Sequence, residues 1–295
     1  MSSGLPHSVQ VRLVQHAKEL SQDPNLVLSR YATERFLYRL SRSPFAERFV
    51  LKGALLLLAW LGEAVRPTRD ADLLGFGDLD HSRLAEVVHQ ICDVEVPADG
   101  LSFDTESIRV SPIRAEDAYG GQRATLIAYL GSARLKVQVD VGLGDVITPP
   151  AEWLEYPSLL GFPRPRLRAY RPETAVAEKV HAMVTLGSRN SRMRDFFDVR
   201  ALAERQPFEG AVLADALAAT FGRRYTDVPT ELPLALTPSF GKVEGKMAQW
   251  AGFLRRISPS IAPQDLDCMG QEAARPQPEQ QRGLERGDAP GFRLR

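Results

Sequence analysis

Two aspartates separated by a single residue, Asp70 and Asp72, are the first sign of chemistry in this sequence. On a β-strand they would point to the same face, about 6–7 Å apart, because side chains alternate at about 3.3 Å per residue. Two carboxylates at that separation can hold a hard divalent cation such as Mg²⁺ or Mn²⁺. Taken alone, the pair is weak evidence for a metal site, and the alternative is two ordinary aspartates in a solvated turn.

A candidate phosphate-binding segment lies within twenty residues before the aspartates. Gly53 follows a short apolar run and precedes a second apolar run with helical character. A glycine at the start of a helix lets a phosphate approach the backbone and the positive helix end. The candidate nucleotide-binding residues in this region are Lys52, Gly53, Ala54 and Thr68.

A third carboxylate, Asp140, lies in a strictly alternating segment, residues 134–141. The alternation predicts a strand with Lys136, Gln138 and Asp140 on its polar face. A carboxylate there could orient or deprotonate an attacking hydroxyl group. The alternative is an aspartate that caps the turn before Gly142.

Two further candidates lie on helices predicted in the second half of the chain. Lys179 is in the middle of an apolar helix, where a compact charge on a flexible stem would suit a triphosphate. Asp195 and Asp198 share one face of the next helix, since they are three residues apart. The alternatives are a surface lysine paired with a neighbouring glutamate and, for Asp195, a helix cap.

Together these motifs, in this order, resemble the AbiEii family of nucleotidyltransferase toxins and their mycobacterial MenT relatives. The resemblance covers roughly residues 46–257 and is carried by LKGALLLLAWLGEAVRPTRDADLL, by Asp140, by Glu178-Lys179 and by Arg194-Asp195-x-x-Asp198. One departure is Ala54, where the family pattern has serine, glycine or sometimes another small residue. A side-chain hydroxyl contact to phosphate is therefore missing at that position.

The resemblance implies a metal-dependent toxin of a type IV toxin–antitoxin system. Such an enzyme would transfer nucleotides from an NTP to an RNA acceptor, such as the 3′ end of tRNA, and a separately encoded antitoxin would counter it. Asp70 and Asp72 would bind the metal, Lys179 the triphosphate, and Asp140 or Asp195 would serve the acceptor hydroxyl. Two alternatives stay open: a small-molecule nucleotidyltransferase of the antibiotic-modifying kind, and a catalytically inactive nucleotide-binding module.

The order of strand-like and helical segments that carry these residues predicts an α+β fold with two lobes. Sequential strand-like segments indicate a small mixed sheet with helices, followed by a mainly helical C-terminal lobe. The expected organisation is a helical platform (1–48), a nucleotidyltransferase core (49–165), a helical lobe (166–257) and a disordered tail (258–295). The Pro-, Gly- and Arg-rich residues 142–172 are expected to be a linker between the lobes.

Charge and composition narrow the function classes. Basic and acidic residues number 37 each, so any RNA must bind through local patches. The candidate RNA-binding residues are Arg35, Arg39, Arg164, Arg166 and Arg168. Only two cysteines are present, far apart, and no segment has the length and apolarity of a membrane span, so a cytoplasmic protein with no membrane partner is expected.

Overall fold

The computed structural model describes residues 4–62, 66–113 and 120–257, and the predicted tail lies outside these ranges. The chain forms two compact units. Unit 1 comprises Met1–Trp60, Pro67–Asp145 and Glu152–Ala169, and unit 2 comprises Leu61–Arg66, Val146–Ala151 and Tyr170–Arg295. The predicted helical platform is part of unit 1. The two-lobed arrangement itself stays a prediction.

Two of the helices in the first half of the chain begin at an aspartate cap. The Asp23 side chain accepts a hydrogen bond from the Asn25 amide and Pro24 takes the first helical position, both favourable at a helix start. Asp80 accepts from the Arg83 amide in the same way. The helices are α1 (Gly4–Glu19), α2 (Pro24–Arg42), α3 (Ala54–Leu61) and α4 (His81–Cys92).

Unit 1 is built on a seven-stranded mixed sheet, which confirms the predicted α+β class. The spatial order is β3-β4-β5-β2-β1-β7-β6, with β2 parallel to β5, β1 parallel to β7 and the other neighbours antiparallel. The strands are β1 (Phe49–Lys52), β2 (Ala71–Gly75), β3 (Leu101–Pro112), β4 (Gly121–Leu130), β5 (Ala133–Leu143), β6 (Glu152–Glu155) and β7 (Arg166–Ala169).

The alternation that predicted β5 also explains its burial. Leu135, Val137, Val139 and Val141 are all buried, so this face of the strand belongs to the core of unit 1. The polar residues between them lie on the opposite face, where Asp140 is half-buried. One face of the sheet is thus apolar and the other is able to carry charged groups.

The prediction of a linker at 142–172 is wrong, because this region contains β6 and β7. The two strands pair with each other and extend the sheet beyond β1. Each has only four residues and lies among prolines, so neither produced a recognisable alternating pattern. Leu167 and Ala169 are nevertheless buried, and their burial ties β7 to the core of unit 1.

Unit 2 is mainly helical in the described residues. Its helices are α5 (Pro172–Leu186), α6 (Met193–Arg205), α7 (Gly210–Arg223) and α8 (Lys246–Leu254). An aromatic cluster fills the interior of unit 2. The stacked rings of Phe196 and Phe240 have centroids 4.8 Å apart, and those of Trp250 and Phe253 have centroids 5.5 Å apart. None of the helices in the described ranges combines the length and the apolar character needed to cross a membrane.

Candidate active site

Four charged residues form one row across the four central strands of unit 1. Lys52 of β1 pairs with Asp72 of β2, Asp72 pairs with Asp140 of β5, and Asp140 pairs with Arg123 of β4. Residues directly paired on neighbouring strands point to the same face of a sheet. The four side chains, called the charged row below, therefore present two carboxylates between two cations. This register brings together the predicted residues Asp72 and Asp140.

Arg123 holds Asp140 with both arms of its guanidinium group. Its Nε donates to Oδ1 at 2.8 Å and its Nη2 to Oδ2 at 2.7 Å, a bidentate geometry that is strong for this pair. The hydrogen bond to Asp140 raises the pKa of Arg123, and the charges of Asp140, Asp70 and Asp72 add to the effect. Asp140 is thus fixed in orientation by a residue that the sequence analysis did not identify.

Asp70 precedes β2 and belongs to the same carboxylate group. Its side chain keeps an exposed surface, yet its pKa is raised, first because nearby atoms displace water and second because negative Asp140 lies close. A divalent cation relieves such repulsion between carboxylates. No group of three or more His, Cys, Asp or Glu side chains in the described ranges is placed to hold a metal. Asp70 and Asp72 fit the alternative in which Mg²⁺ takes one or two carboxylates and completes its shell with water and substrate phosphate.

Gly53 is required at its position by the backbone and by Asp72. Its φ is +72°, a region that residues with a side chain rarely adopt. A Cβ atom at this position would lie 2.7 Å from the Cβ of Asp72, far inside van der Waals contact. The next residue, Ala54, is buried in the first turn of α3. Gly53 therefore allows β1, α3 and Asp72 to meet closely, whereas its predicted contact with phosphate stays a prediction.

Lys52 is bonded to an acidic residue that the sequence analysis did not identify. Its Nζ donates to Oδ2 of Asp145 at 2.8 Å, and both side chains are largely buried. Asp145 follows β5 after the left-handed Gly144, and no short-range pattern links it to a lysine on β1. Thr68, the other predicted nucleotide-binding residue, is half-buried in the segment before β2.

The predicted residues of unit 2 meet in a second charged group. Lys179 of α5 donates to Oδ1 of Asp195 at 3.2 Å and to Oδ2 of Asp198 at 2.8 Å. Arg66 completes the group, since its Nε and Nη2 donate to the two oxygens of Asp198 at 2.7 and 2.8 Å. The four residues Arg66, Lys179, Asp195 and Asp198 are called the ion-pair cluster below. Arg66 was not among the predicted site residues, since it lies more than a hundred residues before Asp198 in the chain.

The ion-pair cluster keeps its buried groups charged. Burial alone would lower the pKa of Lys179, but the charges of Asp198 and Asp195 outweigh it and the pKa is raised. Burial alone would raise the pKa of Asp198, but Lys179 and Arg66 outweigh it and the pKa is lowered. Asp198 has no exposed surface, so the two cations are necessary for it to remain ionised.

The prediction that Arg35 and Arg39 of α2 are available to bind RNA is wrong. Arg35 and Arg39 are buried, and both bind the buried carboxylate of Asp99, at 3.0 and 2.7 Å. Arginine at helical spacing gave no sign of an acidic partner about sixty residues later. These two side chains hold unit 1 together and are not exposed for contact with RNA.

The arginines near β7 do reach the surface. Arg164 and Arg166 are exposed, and Arg168 is half-buried. The Arg166 guanidinium lies 5.2 Å from the centre of the Trp153 ring, which is itself 48% exposed. A role for these arginines in RNA binding stays a prediction.

Comparisons with known proteins agree with the motifs placed above. The model of the AbiEii family, described as the nucleotidyl transferase AbiEii toxin of a type IV toxin–antitoxin system, matches residues 35–275. No curated protein matches the chain. The chain is similar to a solved structure described as a candidate nucleotidyltransferase from H. pylori, with 15% identity, 83% of this chain and 89% of that chain covered, and a TM-score of 0.47. It is also similar to JHP933 from Helicobacter pylori, with 16% identity, 77% and 96% covered, and a TM-score of 0.43. Because the family model spans most of its length, the chain belongs to the AbiEii family of nucleotidyl transferase toxins.

Proposed function

We propose that this nucleotidyltransferase transfers a nucleotide from an NTP to an RNA acceptor, in particular the 3′ end of tRNA. The observation that carries the proposal is the gathering of Asp70, Asp72 and Asp140 around the charged row. In the reaction, an acceptor hydroxyl attacks the α-phosphorus, the bond to the leaving pyrophosphate breaks, and the hydroxyl proton must be removed. Carboxylates suit both metal binding and the handling of that proton.

Asp70 and Asp72 are the residues that would hold Mg²⁺ or Mn²⁺. When bound, the metal supplies positive charge to the triphosphate oxygens as the α-phosphorus is attacked. Asp140 lies beside Asp72, and Arg123 donates to both of its oxygens, while the Gln138 side-chain amide donates to Oδ1 at 3.4 Å. A carboxylate offers about four acceptor positions, so Asp140 keeps capacity to accept a hydrogen bond from the acceptor hydroxyl. Arg123 would hold it in the orientation for that contact.

Lys179 would bind the triphosphate. Its raised pKa keeps the ammonium group charged at neutral pH, and two of its three N–H donors are used by Asp195 and Asp198. The third donor would serve a phosphate oxygen, and Asp195 would hold the ammonium in place. Lys52, Gly53, Ala54 and Thr68 would contribute the remaining nucleotide contacts, with Ala54 able to act only through its backbone.

The family description also implies a partner. A type IV toxin–antitoxin system includes an antitoxin, and we propose that a separately encoded one counters this enzyme. NTPs and tRNA are met in the cytoplasm, where we place the reaction. The exposed Arg164 and Arg166 and the half-buried Arg168 are the predicted residues that would contact the acceptor RNA.

Incubation of the purified chain with total RNA, Mg²⁺ and each labelled NTP in turn tests the proposal. We expect label to enter RNA of tRNA size from one or more NTPs, and to be lost when the RNA is omitted. A parallel reaction contains an aminoglycoside in place of RNA. Label that enters the aminoglycoside and never RNA would establish the small-molecule alternative, and transfer to neither would support the inactive nucleotide-binding alternative.

A further inference from the structure

The segment that joins α5 to α6, together with the first two residues of α6, is strongly basic. Residues 187–194, GSRNSRMR, contain three arginines and no acidic residue. Arg189 and Arg194 are exposed and Arg192 is half-buried. In the described parts of the chain, none of these guanidinium groups forms an ion pair with a carboxylate. This segment, called the α5–α6 loop below, therefore presents three positive charges, and no carboxylate of the described residues pairs with them.

The backbone of the α5–α6 loop is fixed from inside unit 2. The buried Lys246 of α8 donates to the carbonyl oxygen of Asn190 at 2.7 Å. Asn190 is fully buried, and its side-chain oxygen accepts from the backbone amide of Arg192 at 2.8 Å. The backbone amide of Asn190 donates to the Gly187 carbonyl oxygen at 3.1 Å. A loop that is already ordered loses little entropy when it binds a partner.

The loop also leads directly into the ion-pair cluster. Helix α6 begins at Met193 without a side-chain cap, so its positive end adds to the charge of the arginines. Asp195, in the first turn of this helix, binds Lys179. By contrast, the arginines near β7 have other contacts: Arg164 lies 4.0 Å from Glu155, and Arg166 lies over Trp153. The arginines of the α5–α6 loop thus have fewer internal contacts than Arg164 and Arg166.

We propose that the α5–α6 loop binds the backbone phosphates of the acceptor RNA through Arg189, Arg192 and Arg194. This inference rests on the proposed RNA acceptor. Guanidinium groups bind phosphate oxygens in a bidentate manner, and three of them along six residues suit successive phosphates of a strand. The triphosphate of one NTP is shorter than a strand with successive phosphates, and Lys179 is already assigned to it. The loop takes the place of Arg35 and Arg39 of α2, which the structure shows to be buried.

The test is the salt dependence of RNA binding by the whole chain. Wild type and the triple variant Arg189→Gln, Arg192→Gln, Arg194→Gln are titrated with bulk tRNA, without NTP, over a series of KCl concentrations. Each phosphate contact contributes about 0.7 to the log–log slope on single strands and about 0.9 on duplex, so the slope should fall by about 2 to 3. NTP affinity, measured by calorimetry without RNA, should not change.

Two controls make the result specific. The variant Arg42→Gln, Arg134→Gln, Arg255→Gln removes the same charge from three other exposed arginines and should leave the slope near that of wild type. Thermal melting checks that each variant is folded. If the triple loop variant is not folded, the single exposed substitution Arg194→Gln is used, with an expected slope change of about 0.7 to 0.9.

Three outcomes would overturn the proposal. An equal loss of slope in both triple variants would mean that binding follows total charge alone. An unchanged slope in the loop variant would exclude the loop from RNA binding, and an unchanged slope with weaker NTP binding would assign it to the triphosphate. If the loop variant loses slope as expected but wild type transfers no nucleotide, the loop proposal stands and the proposed function fails.

Discussion

At Gly53, the backbone conformation and a neighbouring carboxylate together exclude a side chain. The sequence suggested that this glycine leaves space for a phosphate. The structure adds a second reason, because the space beside Gly53 is already taken by Asp72. The glycine is therefore part of the packing that sets the position of a proposed metal ligand.

We expect Gly53→Ala to lower thermal stability. An alanine would be strained at φ +72° and would collide with Asp72, and strain of this kind costs about 1–3 kcal/mol. The melting temperature should fall by several degrees, at about 2–4 °C per kcal/mol for a protein of this size. The control is Gly222→Ala in α7, where a Cβ meets nothing within 4 Å and the helix should gain slightly. Equal melting temperatures for Gly53→Ala and wild type would contradict this account of the glycine.

Lys179→Ala should weaken NTP binding. A hydrogen bond to a charged group is worth about 1.5–3 kcal/mol, so Kd should rise about ten- to a hundredfold. Lys179→Arg should restore little, because a planar guanidinium cannot replace a compact ammonium between Asp195 and Asp198. Calorimetry with each NTP measures the change, and the exposed Lys242→Ala serves as the control. Wild-type affinity in Lys179→Ala would reduce this lysine to a structural member of the ion-pair cluster.

At the scale of single residues, sequence analysis found groups and missed their partners. Asp140 was recognisable because strict alternation placed it on a polar stripe. Its partner Arg123 lies on the neighbouring strand, and only the register of β4 against β5 brings the two together. Arg66 and Asp145 were missed for the same reason, since their partners are far away in the chain.

At the scale of elements, α2 carries a buried charged network in place of the expected exposed one. Arg35 and Arg39 share Asp99, and the Tyr31 hydroxyl donates to the Asp99 carbonyl oxygen at 2.7 Å. Burial alone would raise the pKa of Asp99, but the hydrogen bond and charge of Arg39 and the hydrogen bond of Arg35 outweigh it and the pKa is lowered. The helix is thereby held to the segment before β3 by charge as well as by apolar packing.

We expect Asp99→Asn to destabilise unit 1 by about 3–5 kcal/mol at neutral pH, since it leaves two buried cations without their carboxylate. A carboxyl with a lowered folded pKa stabilises fully above its unfolded pKa, about 4, and loses that contribution as pH falls through the folded pKa. Urea unfolding between neutral pH and pH 2 measures both effects. Wild type should lose stability in acid more steeply than Asp99→Asn, and the exposed Asp78→Asn should follow wild type. Parallel acid profiles for wild type and Asp99→Asn would contradict the prediction.

Elements with strong periodicity or caps were predictable, and short ones were not. The apolar run after Gly53 forms α3, and the strand predicted at residues 134–141 is β5. β6 and β7 were missed because four residues among prolines carry too little pattern, although β7 completes the pairing of β1. The face of α2 was misjudged because a helical arginine gives no sign of whether a distant carboxylate will bury it.

At the scale of the whole molecule, the balance of 37 basic and 37 acidic residues hides an uneven distribution of charge. Several arginines form ion pairs with buried carboxylates, among them Arg35, Arg39 and Arg66. The three arginines of the α5–α6 loop form no ion pair with a carboxylate of the described residues. A neutral protein can therefore still offer a local surface to a polyanion, and its RNA affinity should depend steeply on salt.

The central claim is that carboxylates on the charged row carry out nucleotidyl transfer, and Asp72→Asn tests it most directly. Transfer of labelled nucleotide to RNA is compared in wild type, Asp72→Asn and Asp78→Asn, with Mg²⁺ present and with melting curves for all three. Loss of a metal ligand removes several kcal/mol of transition-state stabilisation, so the rate should fall at least about a hundredfold with the fold intact. Asp78→Asn, an exposed change six residues away, should match wild type. Wild-type transfer by a folded Asp72→Asn variant would contradict the assignment of the site.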